Sequence, residues 1–270
     1  MSQTIALVRH SRADMSQQAA LIAAEVRRLG GTLLDEDHAR EADVVLVLGG
    51  DGTMLRAVET VRGSGIPLVG VNYGHVGFLA EADPESLAGV VARLVAGEYK
   101  VEERMALELT LAAPDGAQTT GWALNEVAIL KMDRARMVEL TVAVDGHAVN
   151  AFGCDGFVVA TPTGSTAYAF SAGGPIVWPD LEALLAVPLA AHALFARPMV
   201  VGPHSEVSLV LRSDSELSCD SRRNLLAPAH STVTVRRSPE PVRLARLSDM
   251  PFSGRLVAKF NLPVTGWRGA

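Results

Sequence analysis

The run VVLVLGGDGTMLRA at residues 44–57 constrains the fold more than any other stretch. Val44 to Leu48 are consecutively apolar, so a strand formed there has no polar face and is covered on both sides, as in a parallel sheet. Gly49, Gly50, Asp51 and Gly52 end the strand, and a helix is predicted from near Thr53 through Leu55, Val58 and Val61. A strand–loop–helix unit places its loop at the carboxyl edge of a sheet, where ligands of open α/β folds bind. Glycines let backbone amides approach a phosphate, and the helix start adds about half a positive charge. Asp51 reads two ways. It is a turn residue that closes the strand, or it takes a proton from an alcohol attacking a phosphorus or helps hold a nucleotide's Mg²⁺. A plain turn aspartate avoids a phosphate, which tilts the balance toward chemistry.

The first hundred residues repeat the alternation. TIALV (4–8) and IPLVGV (66–71) are strand candidates. Residues 16–30 are helical in spacing and stop at Gly30-Gly31, and Pro84 opens a second helical pattern that stops at Gly97. This is an α/β domain with a mostly parallel, Rossmann-like sheet over 1–100. The texture then changes. ALELTLAA (106–113), WALNEVAIL (122–130), SEVSLVLRS (205–213) and STVTVRRS (231–238) alternate apolar and polar residues. Asp145-Gly146 sits inside MVELTVAVDGHAVNAF as a hairpin signal. Residues 101–240 are therefore predicted to be β-rich, with one helical insertion after TPTGSTAY. Residues 241–270 end in the apolar GRLVAKFNLPVTGW, expected to dock rather than trail free.

Composition excludes several functions. A net charge of −6 and 5% aromatics argue against a nucleic-acid binder. No apolar run reaches the roughly 18–20 residues that cross a bilayer, and the first residues lack the pattern of a signal peptide, so the chain is expected in the cytoplasm and off the membrane. Cys154 and Cys219 form no metal or redox motif and are expected to be reduced. There is no His-Glu-x-x-His, and no metal-binding residues are assigned.

Other stretches carry chemistry. VNYGHVGFLAE (71–81) follows a buried strand; Phe78 and Leu79 can wall a pocket, and the glycines explain His75 as a loop residue. In WALNEVAIL, adjacent Asn125 and Glu126 point to opposite faces of a strand, so one needs a partner inside. An unpaired buried polar group costs ~1–3 kcal/mol, and a neighbouring loop or a ligand satisfies it equally well. GCDGFVVATPTGSTAYAFSAGGPI (153–176) crowds Thr161, Thr163, Ser165, Thr166, Tyr168 and Ser171 into one turn. No Gly-x-Ser-x-Gly elbow marks Ser165 as a nucleophile, and hydroxyls at helix starts are often caps, but the string exceeds what capping requires. The chain also has neither Gly-Lys-Ser/Thr nor Gly-x-Gly-x-x-Gly, so any phosphate is cradled without the usual lysine.

GGDGTML (49–55), NYGHVGFLAE (72–81), NE (125–126), CDGFVVATPTGSTAY (154–168), SAGGPI (171–176) and SCDS (218–221) occur in the order found in bacterial and archaeal NAD kinases. The chain resembles that family along nearly its whole length. The resemblance implies an α/β domain, a β-sandwich-like domain and a tail returning to the first. It implies phosphorylation of the adenosine ribose 2′-hydroxyl of NAD to give NADP. The donor is ATP with Mg²⁺ or another divalent cation, or polyphosphate in some members. Asp51 matches the family's proton acceptor, in a loop with Gly49, Gly50 and Gly52. Asn125 and Glu126 match the ribose grip. Ser165, Thr166, Ala167, Tyr168 and Ser171 match the dinucleotide pocket, with Asp155 before it and Phe78 beside the loop. Arg136 and Ala190 fall on family binding positions. The family forms homodimers or homotetramers whose NAD site borrows residues from a neighbour. Two departures stand out. Gly153 replaces a large charged residue of some members, which goes with use of NADH beside NAD, and Arg222 stands where several members carry glutamine. The rival reading, a lipid or sugar kinase sharing only the GGDG loop, lacks an amphipathic or basic membrane face.

Overall fold

The computed structural model describes residues 3–10, 15–72, 77–80, 87–133 and 135–264. Gly74, His75, Pro84 and Trp267 lie outside them. The chain divides into two compact units, Met1–Glu103 with Val242–Ala270, and Arg104–Pro241.

The first unit holds β1 (Thr4–Arg9), α1 (Met15–Arg28), β2 (Thr32–Leu34), β3 (Val44–Leu48), α2 (Asp51–Val61), β4 (Leu68–Val71), α3 (Leu87–Ala96) and β5 (Lys100–Arg104). Its sheet has the order β2-β1-β3-β4, followed by a late strand, Val242–Arg246, and then β5. The pairs within β2-β1-β3-β4 are parallel, and so is the pairing of the late strand with β4 at Leu244 and Leu68. Val44, Leu46 and Leu48 pack with Ile22, Val26, Val91 and Leu94 of α1 and α3. Val45 and Val47 point to the other face and are equally buried. Full burial on both faces is what the unbroken apolar run demanded.

The second unit holds β6 (Leu107–Ala112), β7 (Gln118–Ala123), β8 (Glu126–Lys131), β9 (Val138–Val144), β10 (His147–Cys154), β11 (Gly156–Ala160), the single turn α4 (Tyr168–Ser171), β12 (Leu184–Leu189), β13 (Met199–Val201), β14 (Val207–Leu211), β15 (Ser215–Cys219), β16 (Arg223–Ala227) and β17 (Thr232–Arg237). Two six-stranded antiparallel sheets form, ordered β10-β9-β14-β17-β6-β7 and β13-β12-β11-β8-β15-β16. One core unites Leu107, Leu109, Leu140 and Val233 of the first sheet with Val127, Ile129, Phe157 and Leu217 of the second. The unit is therefore a β-sandwich. The second sheet is covered on its other face too, where Ala128, Val158 and Val187 meet Ala169 and Val177. This explains why FVVA reads as continuously apolar in an antiparallel sheet.

The Asp145-Gly146 hairpin forms with positive φ at both residues, 51° and 77°. The helical insertion after TPTGSTAY is shorter than its sequence suggested, a 3₁₀ turn over Thr163–Thr166 and then four residues of α4. The late strand is β18 (Val242–Arg246), and it leads to α5 (Phe252–Phe260) in the first unit. Two rings of α5, Phe252 and Phe260, each lie 5.9 Å from the Phe78 ring.

Candidate functional site

In the first unit the chemistry gathers at the start of α2. The helix begins at Asp51, two residues earlier than the sequence pattern indicated, because the Gly50 carbonyl accepts from Thr53 N and Met54 N. The Asp51 carboxylate turns back onto the segment after β4. Its Oδ2 accepts from Phe78 N (3.1 Å), and its Oδ1 accepts from Leu79 N (3.1 Å) and Ala80 N (3.2 Å). A carboxylate offers about four acceptor positions; among the described residues three amides orient the group, which leaves capacity for one further donor. The approach is close enough that a Cβ at Gly77 would collide with Asp51 Oδ1. The holding segment is itself held, since Arg246 of β18 donates to Leu79 O (2.9 Å) and to Glu102 (2.8 Å). Phe78 is buried beneath the α5 rings. Gly52 differs from Gly77. It is exposed, and a Cβ there would meet no protein atom within 4 Å. Nothing among the described residues requires glycine at that position, so the open space there suits an incoming group that needs the backbone close.

In the second unit the site centres on a bend before β8. Asn125 precedes the strand, and Glu126 is its first residue, so the two are not alternate residues of one strand as the sequence had suggested. They are 9% and 3% exposed. Long-range bonds break the strand there. Thr161 Oγ1 donates to Leu124 O (2.6 Å) and Thr161 N to Asn125 O (2.8 Å), while the amides of residues 124–126 donate to Asp220. Gly164 lies against the same bend, where a Cβ would overlap the Asn125 carbonyl. Glu126 Oε2 accepts from Tyr168 N at 3.4 Å. Burial, and then the negative charge of Asp220, push the Glu126 carboxyl up to about 8. At neutral pH it therefore carries a proton and can donate as well as accept.

That shift has a measurable sign. The folded state keeps a proton that the unfolded chain, titrating near 4.5, releases. The stability so contributed is whole below pH 4.5 and is lost as pH rises through 8. Glu126→Gln cannot titrate. Between pH 5 and about 8.5 the wild type is expected to lose on the order of a few kcal/mol relative to the variant. Paired denaturant melts read the difference, and a constant gap at all pH values contradicts it.

The remaining candidates divide into two groups. Ser165, Thr166, Ala167, Tyr168 and Ser171 form the turn beside Asn125 and Glu126, and Arg222 is exposed in the β15–β16 turn next to Asp220. Within this group the Ser165 hydroxyl is occupied by Val177, accepting from its N (2.9 Å) and donating to its O (3.1 Å). Thr166 Oγ1 donates to Thr163 O (3.2 Å). Asp155, Ala190 and Arg136 sit at the other end of the same strands, where Gly156 pairs Leu130 while Ala160 pairs Glu126. Four residues of strand separate the ends, about 13 Å. Asp155 is ion-paired to Lys131, and its amide donates to Leu189 O (3.0 Å) beside Ala190. Arg136 is exposed and 3.8 Å from Asp133. Asp220 is a functional candidate that the sequence alone does not single out. Its only signal was an acid in SCDS, a string whose partners lie about 95 positions away.

Among the described residues, no group of three or more His, Cys, Asp or Glu could hold a metal ion, and no helix is long and apolar enough to cross a membrane. Cys154 and Cys219 are free and buried, and burial raises both thiols to about 11.

Comparison with known proteins places this arrangement. The ATP-NAD kinase N-terminal domain family matches residues 10–99, and the ATP-NAD kinase C-terminal domain family matches residues 124–247. NAD kinase 2 of Streptomyces avermitilis is 53% identical over 231 residues, 84% of this chain and 77% of that protein. The crystal structure of an NAD kinase from Archaeoglobus fulgidus in complex with ATP superposes with a TM-score of 0.82 at 28% identity, over 96% of this chain and all of that one. Yeast NADH kinase complexed with NADH shares the fold, with a TM-score of 0.88 at 20% identity over 100% and 90% of the two chains. A lipid or sugar kinase with only the glycine loop in common would match the first unit alone. Since both units match in order, the chain belongs to the NAD kinase family.

Proposed function

We propose that the protein transfers the γ-phosphoryl group of ATP to the 2′-hydroxyl of the adenosine ribose of NAD, giving NADP and ADP, with Asp51 as general base. The observation that carries this reading is the Asp51 carboxylate, which among the described residues is oriented by three amides with acceptor capacity for one more donor. In the step proposed, the ribose oxygen bonds to the γ-phosphorus, its proton passes to Asp51, and the bond to the β–γ bridging oxygen breaks as ADP leaves. The divalent cation enters as part of the Mg²⁺–ATP substrate and offsets phosphate charge. Gly49, Gly50 and Gly52 let the amides at the start of α2 reach phosphate, and Phe78 supports the loop.

Asn125 and Glu126 hold the ribose, and Thr166, Ala167, Tyr168 and Ser171 line the dinucleotide pocket. Ser165 contributes through its backbone, since its hydroxyl closes the turn onto Val177. Arg222 replaces an amide contact with a charge suited to phosphate. Asp155, Arg136 and Ala190, at the far end of β8 and β11, serve the dinucleotide of a neighbouring protomer in a homodimer or homotetramer. Exposed Met137, Val149, Leu194 and Phe195 support that reading. They crowd one edge, where Asn150 Nδ2 donates to Phe195 O (2.8 Å) and a Cβ at Gly153 would lie 3.2 Å from Met137. Sedimentation velocity reads the assembly directly. The small Gly153 also keeps NADH in the substrate range, and the cytoplasm is the proposed location.

The test is an assay with NAD, ATP and Mg²⁺, reading product with an NADP-specific dehydrogenase. NADP formation that needs both ATP and the cation is expected, and no product above background overturns the reading. The same assay with NADH in place of NAD settles the second substrate, and absence of turnover removes it.

A further inference from the structure

The β15–β16 hairpin turns through Asp220 and Ser221, both with left-handed backbone, φ 55° and 54°. Asp tolerates this region through its short polar side chain, whereas Ser adopts it at a cost of ~1–2 kcal/mol. What the turn achieves is the reach of one side chain. Asp220 is 3% exposed, and its carboxylate accepts four hydrogen bonds. Oδ1 takes Asn125 N (2.7 Å) and Glu126 N (3.3 Å), and Oδ2 takes Leu124 N (2.9 Å) and Arg223 Nη2 (2.8 Å). Arg223 also donates to Trp122 O (2.9 Å) and lies 4.0 Å above the Trp122 ring. Thr161 fixes the carbonyls of Leu124 and Asn125 from the opposite direction. The backbone that carries the Asn-Glu pair is thus gripped on its donors by one residue and on its acceptors by another.

We infer that Asp220 is a positioning residue for phosphorylation of the dinucleotide: it acts through the backbone of residues 124–126 and fixes how Asn125 and Glu126 present their side chains to the ribose. The inference rests on the reading of Asn125 and Glu126 as the ribose-holding pair. A purely structural acceptor needs only oxygen atoms in the right places. A carboxylate adds charge, and that charge falls on Glu126, which is kept neutral by burial and by Asp220. The other elements packed on Glu126 bring little that offsets it. Gly156–Ala160 of β11 has no ionisable side chain, and the 163–171 turn brings the Tyr168 side chain and its amide. From β15 come the Cys219 thiol, itself raised to about 11, and Glu216, which pairs with Leu130 at the far end of β8. Arg223 tempers Asp220 by direct contact, and Arg222 follows in the exposed turn. With its proton, Glu126 can donate to a ribose oxygen; without it, the carboxylate can only accept.

The test measures initial rates with NAD and Mg²⁺–ATP from about pH 6 to about pH 9.5. In the wild type, kcat/KM for NAD is expected to fall above about pH 8 as Glu126 ionises. Asp220→Asn is expected to raise KM for NAD about tenfold, with KM for ATP within about twofold, and to move the falling limb down by about one unit, since a like charge has been removed. In Glu126→Gln the limb is absent, and adding Asp220→Asn leaves the profile flat. An Asp220→Asn protein with wild-type KM for NAD and an unmoved limb overturns the inference, and so does an equal rise in both KM values. If that variant does not fold, Arg223→Met takes its place. It removes the cation that tempers Asp220, so the limb is expected to move up, and an unmoved limb overturns the inference. Failure of the underlying reading looks different. In that case Glu126→Gln changes neither KM for NAD nor the limb.

Discussion

Asp51→Asn is expected to lower kcat for NAD phosphorylation by about two to four decades, the span associated with losing a general base. The substitution keeps the size of the side chain and removes its charge. An asparagine oxygen in the Oδ1 position still accepts from Leu79 N and Ala80 N, so the segment after β4 stays in place. The amide nitrogen then faces Phe78 N, a donor against a donor, where the aspartate has a 3.1 Å hydrogen bond. One lost hydrogen bond lowers stability by about 1 kcal/mol, too little to explain a rate loss of this size at assay temperature. The measurement is kcat with saturating NAD and ATP, beside a denaturant melt of the same protein. A fall of less than about threefold removes Asp51 from the role of base.

Gly164→Ala is expected to abolish tight use of NAD by a steric route. The Cβ at this position would overlap the Asn125 carbonyl, with backbone atoms of Asn125 filling the space around it. Backbone cannot swing aside as a long side chain can, so the 163–166 turn must separate from the bend before β8. Overpacking of this kind costs about 1–3 kcal/mol and sometimes more. The displaced turn carries the Tyr168 amide away from Glu126. The expected result is a lower melting temperature and a KM for NAD raised tenfold or more, equivalent to about 1.4 kcal/mol or more of lost binding, while KM for ATP changes little. A soluble Gly164→Ala protein with wild-type KM for NAD shows that turn and bend do not work together.

How far the sequence revealed these features depended on the range of the interactions involved. Strands β3, β4 and β11 could be read because burial on both faces leaves an unbroken apolar signature in the strand itself. The β9–β10 hairpin could be read because its turn is built from Asp145-Gly146 alone. Strand β18 leaves no such local signature. VRLAR carries two arginines, and its partner at Leu68 lies over 170 positions earlier, a pairing no local pattern encodes. The Asn125-Glu126 pair was found as a polar interruption but placed inside a continuous strand. What breaks the strand is the grip of Thr161 and Asp220, both distant in sequence. For the same reason Asp51 could be singled out from its loop, while the three amides that aim it belong to residues 78–80.

Strand β18 has one more consequence. It enters the sheet between β4 and β5, and it brings Arg246, Phe252 and Phe260 onto the segment that holds Asp51. The unit containing the earliest residues is thus closed by some of the latest, whereas Arg104–Pro241 is continuous. During synthesis the ribosome delivers the whole sandwich before the missing strand of the other sheet exists. The order of completion is the reverse of the order of translation, and a nascent chain cannot brace the segment holding Asp51 in this way until residues 242–260 have left the exit tunnel.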